Sequence, residues 1–270
     1  MSVMYDLHPN AKIGKDVTIG NFTTIADDVV IGDGCWIGPN VTIFPGARIG
    51  KNCKIFPGSV IAGVPQDLKF AGEYTTCVIG DNNVIRECCT ISRGTAASGT
   101  TLVGDGNLIM AYCHIAHDCV VGDHCVFANG ATLAGHIIIG DWTILGGKTA
   151  IHQFVHIGQH VITCGGALID KDIPPYVKAA RFPISYAGVN TLGLHRRGFS
   201  QQEINNIQDI YRILFQQGFT TSHAVELIKE KYGRTNEGKV ILGFVGSANM
   251  GIMTGYAYVT KKTQREKGAE

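Results

Sequence analysis

Among the ten histidines of this 270-residue chain, four have neighbours that suit them to chemistry. His117 is followed by Asp118, His136 is preceded by Gly135, His152 is followed by Gln153, and His114 stands three residues before His117. A histidine beside a carboxylate is a general base suited to neutral pH, because its unperturbed pKa lies at about 6.5. The glycine offers an unhindered backbone N–H on the same edge, able to bind a developing oxyanion. Together these residues suit deacylation or acyl transfer without a covalent nucleophile, and no Gly-x-Ser-x-Gly element indicates a serine triad.

Such residues act together only if the fold gathers them, and a six-residue period does so. Counting every sixth position from Leu7 to Ile169, 23 of 28 slots hold Ile, Val or Leu; the exceptions are Asp67, Glu73, Ala97, Phe127 and Thr163. The next slot is often glycine, as at Gly14, Gly20, Gly38, Gly122 and Gly140, which suits a turn needing positive φ. This is the hexapeptide signature of a parallel β-helix, where each unit gives one short strand and one turn and three units close an 18-residue coil. The 28 slots make nine coils, a prism about 40–45 Å tall at about 4.8 Å per coil. In this register the hexads of His117, His136 and His152 begin at Ile115, Leu133 and Ile151 and stack on one face in consecutive coils. All three histidines read as outward turn residues, with His114 pointing out near the same corner. His124 and His160, each alone, read as merely solvated.

Composition narrows the class. Glycine contributes 35 of 270 residues and charged residues only 17%, so the chain is neither disordered nor a coiled coil. With 23 basic and 22 acidic residues the net charge is +1, too balanced for a protein that wraps nucleic acid through its phosphates. No stretch of 18 or more uninterrupted apolar residues occurs and Met1 to Asn10 lacks the basic and apolar regions of a signal peptide, so neither an integral membrane segment nor a signal peptide is expected, and the expected location is cytoplasmic. Seven of the nine cysteines, Cys35, Cys53, Cys77, Cys89, Cys113, Cys119 and Cys125, fall in the fifth slot and should point into the prism as small apolar side chains; Cys88 and Cys164 are out of pattern. Consecutive ones lie on different faces and cannot share a metal.

Two interruptions, at about 63–76 and 94–101, read as loops extruded from the solenoid, the usual carriers of binding residues. Pro174-Pro175 is expected to stop the coil. From Ser200 the spacing turns helical: Ser200-Gln-Gln-Glu203 forms a capping box before Ile204, Ile207, Ile210, Tyr211, Leu214 and Phe215, with Gly218 ending that helix. Further helices are expected at about 222–232 and 238–249, then a polar tail over the last fifteen residues.

The strings Pro65-Gln-Asp-Leu-Lys69, His114-Ile-Ala-His-Asp118, Leu133-Ala-Gly-His136, Ile151-His-Gln-Phe154, Asp172-Ile-Pro-Pro-Tyr176 and Arg196-Arg-Gly-Phe-Ser200 resemble the UDP-N-acetylglucosamine O-acyltransferases, over essentially the whole chain. That resemblance implies a mainly β fold, a left-handed parallel β-helix (1–190) followed by a small α-helical C-terminal domain (191–270), and a homotrimer with sites between neighbouring prisms. It implies the first step of lipid A synthesis: a 3-hydroxyacyl chain passes from acyl carrier protein to the glucosamine 3-hydroxyl of the UDP-sugar. His117 would be the general base, Asp118 its orienting partner, and Gly135 N–H the oxyanion donor. Asp67, Lys69, His114, His136, His152 and Gln153 would position sugar and acyl chain, while Asn190, Arg196 and Arg197 would handle uridine and phosphates. Gly165, beside Thr163, would set acyl length, leaving room for about fourteen or more carbons. No metal or other cofactor is implied. Ser92 and Leu192 depart from the family's histidine and glutamate, which leaves a 3-amino acceptor open beside the hydroxyl.

Three other readings compete. An N-acyltransferase of the same superfamily would carry an extra N-terminal domain before Leu7. A zinc-dependent lyase of carbonic-anhydrase type would use three histidines as ligands, but here the stacked histidines occupy different slots, and Arg196 and Arg197 would have no use. A scaffold solenoid would leave the loops and the histidine edge without a purpose.

Overall fold

In the computed structural model, which describes residues 4–255, the period becomes strands of two to four residues, each followed by a turn onto the next face. Thr24–Ile25, Val30–Ile31 and Trp36–Ile37 lie on the first, second and third faces, and each pairs in parallel with its counterpart one coil on: Ile25 with Ile43, Ile31 with Ile49, Ile37 with Ile55. The result is a parallel β-helix with sheets of 9, 8 and 11 strands. First-slot side chains fill the prism; Ile37, Ile43, Ile55 and Ile61 are fully buried, each worth roughly 1.5–3 kcal/mol. The seven fifth-slot cysteines are buried among them as free thiols, Cys88 is exposed and Cys164 half-buried.

The coil count needs correction. Ile49 pairs with Ile79 thirty residues on and Ile79 with Val103 twenty-four on, where an unbroken coil takes eighteen. The extruded loops, 64–75 and 93–99, lengthen their coils by twelve and six residues, whole numbers of hexads. The sequence phase therefore runs on across them while Asp67, Glu73 and Ala97 sit in loops instead of strands, leaving twenty-five repeat strands among the described residues, a little over eight coils.

The role of the glycines also changes. Positive φ falls two positions later than expected, on Asp16, Asp28, Asn40, Asn52, Asn82, Asp118, His136 and Trp142 among others. The second-slot glycines are required by close approach: a Cβ at Gly140 would lie 2.5 Å from the Gln159 backbone nitrogen of the next coil.

Pro174-Pro175 does not stop the coil. Ile173 bridges to Ile157, the prolines occupy the following turn, where no ladder N–H is needed, and Val177–Ala180 continues the third sheet beside Ile162. An antiparallel hairpin with Ser185–Val189 follows, and Thr254–Gly255 returns to pair with Ser185 and Tyr186. The helices are α1 (Thr191–Arg196), α2 (Gln201–Gln216), α3 (Thr221–Tyr232) and α4 (Asn236–Ser247). Ser200 and Glu203 form the expected capping box, and α4 starts two residues early because Thr235 caps it. Short α1 and the hairpin have no periodic signal in the sequence. Buried Tyr211 of α2 donates its hydroxyl to Pro175 O at 2.6 Å, fastening the helices to the prism. No helix among the described residues is long and apolar enough to cross a membrane. The polar tail, 256–270, lies outside the described residues.

Gly140→Ala should therefore destabilise the prism by about 1–3 kcal/mol, as overpacking does, while Asn40→Gly, at a positive-φ position, should leave the thermal midpoint nearly unchanged. Thermal unfolding of both variants beside wild type reads this directly; equal midpoints for all three would contradict the close-approach account.

Candidate active site

The turns joining the first face to the second build one edge of the prism, and both extruded loops leave from it. Its turn residues are His117 and Asp118, then Gly135 and His136 one coil on, then Gln153 and Phe154. His136 stacks on Phe154 with ring centroids 4.8 Å apart and meets His117 edge-on at 5.2 Å. The spacing that stacks the hexads thus brings His117, Asp118 and His136 together in space.

The expectation that four histidines line one exposed edge is corrected twice. His117 and Asp118 are buried, 6% and 5% exposed, because the 93–99 loop folds back over them. His114 and His152 have their polar contacts outside the cluster. His114 belongs to a first-face strand, its Nδ1 2.7 Å from Thr90 Oγ1. Burial, with His117 nearby, pushes its pKa below the ordinary value. His152, exposed at the end of a strand, has Nδ1 3.0 Å from Gln153 O and lines a hollow of about 380 Å³ with Leu168 and Phe182.

The carboxylate of Asp118 is surrounded by donors. Oδ1 accepts from Thr95 N–H at 2.9 Å and from the Ser98 hydroxyl; Oδ2 accepts from Thr95 Oγ1 at 2.7 Å and lies 2.8 Å from His117 Nδ1. Burial alone would raise the pKa, but the hydrogen bonds from Ser98, Thr95 and His117 outweigh it and hold the group at about 2. An ionised Asp118 fixes the proton on His117 Nδ1 and leaves Nε2 as the free acceptor, the tautomer a base requires. Gly135 packs against that ring: a Cβ there would lie 2.4 Å from His117 Cε1. The Gly135 N–H has no acceptor among the described residues.

His117, Asp118 and His136 hold one ligand-type atom each within 4.8 Å of one another. A cation there would compete for carboxylate oxygens already engaged by Thr95, Ser98 and His117, and the third stacked histidine, His152, is not in the group.

The other expected site residues lie elsewhere on this chain. Asp67 and Lys69 are on the 64–75 loop, where Asp67 Oδ1 accepts from Lys69 N–H at 2.9 Å and leaves the Lys69 side chain exposed. Asn190 is buried; its Nδ2 donates to His160 O at 2.9 Å and its Oδ1 caps α1. Arg196 is exposed, and Arg197 lies with its guanidinium carbon 5.1 Å from the Trp142 ring centroid, on the edge joining the second and third faces. Nη1 of Arg197 and Nδ1 of His160 are buried without a hydrogen-bond partner among the described residues. Gly165 is exposed on the third edge. Sequence reasoning missed Thr95, Ser98 and Thr101, whose hydroxyl accepts from Asp118 N–H at 2.9 Å; the only signal was the loop that carries two of them.

Comparison with known proteins agrees with this architecture. Residues 172–253 match the model described as UDP N-acetylglucosamine O-acyltransferase, domain 2, and residues 28–63 and 100–135 match the bacterial transferase hexapeptide model. The acyl-[acyl-carrier-protein]–UDP-N-acetylglucosamine O-acyltransferase of Chlorobaculum parvum is 54% identical over 255 residues, 92% of this chain and 97% of that one. Its counterpart in Chlorobium phaeobacteroides is 59% identical over 246 residues, 91% and 93% of the two chains. The crystal structure of a UDP-N-acetylglucosamine acyltransferase from Bacteroides fragilis superposes with a TM-score of 0.92 at 46% identity, covering 94% of this chain and 99% of that one.

The depressed pKa of Asp118 has a stability consequence. Its stabilisation is complete above the unfolded value near 3.8 and is lost as pH falls through the folded value of about 2. Asp118→Asn should therefore lower the thermal midpoint at pH 7, and the gap from wild type should narrow between pH 4 and pH 2. A gap that stays constant across that range would show that the charge is not what the site holds.

Proposed function

The chain belongs to the UDP-N-acetylglucosamine O-acyltransferase family, and on that premise we propose that it transfers a long 3-hydroxyacyl chain from acyl carrier protein to the glucosamine 3-hydroxyl of UDP-N-acetylglucosamine, with His117 as general base. The observation that carries this reading is the buried His117–Asp118 pair, 2.8 Å apart, with Nε2 free beside Gly135. In the proposed reaction Nε2 takes the hydroxyl proton while the sugar oxygen bonds to the thioester carbonyl carbon, and Gly135 N–H holds the resulting oxyanion. Collapse breaks the C–S bond, and the leaving thiolate takes the proton back from Nε2. No covalent acyl-enzyme forms.

His114, His136, His152 and Gln153 would orient sugar and chain, with Asp67 and Lys69 closing over them from the loop. Arg197, with a buried guanidinium nitrogen lacking a partner among the described residues, and Arg196 beside it suit a phosphate, to which arginine bonds through its planar fork. Because these arginines and Gly165 lie on other edges of the prism than His117, we place the complete site between copies of a homotrimer, in the cytoplasm. We also read 1–190 and 191–270 as its two units.

His117→Ala should lower turnover with UDP-N-acetylglucosamine and 3-hydroxyacyl carrier protein by about 10²–10⁴-fold, the range for a lost general base, with the fold retained by circular dichroism. More than a tenth of wild-type turnover would rule out this assignment. Acyl length has its own test. A Cβ at Gly165 would meet only the Gly147 backbone, O at 3.4 Å and N at 4.0 Å, so a side chain can start there without a clash, and Gly165→Met should shift preference toward carrier proteins bearing shorter acyl chains. An unchanged ratio of long-chain to short-chain rates would remove Gly165 from the groove.

A further inference from the structure

We propose that Thr95 and Ser98 are positioning residues for the base, set against Asp118 by a brace between the two extruded loops in which Glu73 holds Ala96. The proposal rests on His117 being the base and adds what keeps it aimed. Three of the four donors around the Asp118 carboxylate come from the 93–99 loop, and only the fourth is His117 itself. Thr95 is directed as well as near. Its Oγ1 accepts from Ala97 N–H at 3.3 Å, so its own hydrogen is left for Asp118 Oδ2, the same oxygen that faces His117 Nδ1. A carboxylate stripped of these donors, still buried, would bind a proton more readily and would be free to turn away from the imidazole.

The loop that supplies the donors does not stand alone. Glu73, on the 64–75 loop, accepts from Ala96 N–H at 2.9 Å through Oε1 and from Ala71 N–H at 2.8 Å through Oε2. Backbone hydrogen bonds, its own N–H first, hold this exposed carboxyl below the ordinary range, so it stays an acceptor. The Arg93 guanidinium lies 5.4 Å from the Phe70 ring centroid, a second tie between the loops. Tyr74, next to Glu73, anchors the brace to the prism through Asp28 at 3.0 Å and Arg48 at 2.9 Å. The loop proposed to meet the sugar is thereby joined to the loop that orients the base.

The test uses the full-length enzyme and separates orientation from substrate contact and from folding. Thr95→Val, which keeps shape and removes the hydroxyl, should lower kcat about tenfold or more, with KM for UDP-N-acetylglucosamine within about twofold, the pattern of a lost transition-state interaction. Thr95→Ser should restore most of kcat. Ser98→Ala should act in the same direction, and Glu73→Ala should reproduce part of the loss. In the His117→Ala background, Thr95→Val should add nothing, because it acts through the absent base. A raised KM with unchanged kcat, no rescue by serine, or a further loss in that background would overturn the proposal. If Thr95→Val lowers the thermal midpoint, Ser98→Ala decides by the same measures. An inactive His117→Ala with unaltered Thr95→Val and Ser98→Ala would refute the positioning role alone, whereas a fully active His117→Ala would refute the base.

Discussion

Backbone N–H groups tie each coil to its neighbours: Gly14 donates to Ile31 O, Gly32 to Ile49 O, Gly50 to Ile79 O and Gly80 to Val103 O of the coil that follows, all at 2.8 Å, while turn residues such as Asn40 and His136 donate back to Asn21 O and His117 O of the coil before. A buried strand N–H left unmatched would cost about as much as a lost hydrogen bond, so every coil must return to the same phase after three strands. The two loops leave and rejoin the prism without disturbing that phase, and glycine recurs where one coil's backbone passes over another. It also turns sequence spacing into vertical columns. Residues eighteen apart lie one above the other, and His136 and Phe154 stack as ring on ring.

Upon that scaffold the site depends on a buried charge. The Asp118 side chain is wholly inaccessible, and an ionised carboxylate without partners would not survive there. The 93–99 loop supplies the partners, so it is part of the electrostatics of the site as well as its cover. The cluster has the composition of a metal site, yet its geometry favours a fixed imidazole tautomer. The Oδ2 atom that a cation would need is taken by Thr95 Oγ1 at 2.7 Å and faces His117 Nδ1 at 2.8 Å, while His136 Nε2 stays at 3.6 Å.

The prism was legible because its core obeys one rule that any reader can count, and the capped helix α2 because Ser200, Glu203 and the apolar stripe agree. Phase alone could not distinguish a strand slot from a loop residue, so Asp67, Glu73 and Ala97 were counted as coil. Slot position also misjudged exposure: His117 is an outward turn residue by register, and what buries it is a loop that leaves the chain more than twenty residues earlier. No periodicity encodes how that loop folds back, and so Thr95 and Ser98 were invisible. Thr163 shows the opposite case. Its break in the aliphatic column is structural, because Oγ1 accepts from Gly146 N–H at 2.9 Å inside the prism.

A single prism divides its polar equipment among edges that face away from one another. The histidine pair and both loops occupy one edge, Arg197 another, Gly165 the third. Between the first two lies the second face, where Val78, Leu102, Val120 and Ile138 form an outward aliphatic column, each between 36% and 41% exposed, in successive paired strands. The corresponding column on the first face reads Thr42, Val60, Thr90, His114 and Thr132. Leu68, at the tip of the 64–75 loop, is wholly exposed. An apolar column beside the base-bearing edge and an apolar loop residue are thus both left open on a single chain. The proposed three-fold arrangement would bury both and carry a second edge toward His117. On this view the two loops divide the work: the 93–99 loop holds the carboxylate that aims the base, and the 64–75 loop, braced against it through Glu73, would reach for the chain that completes the pocket.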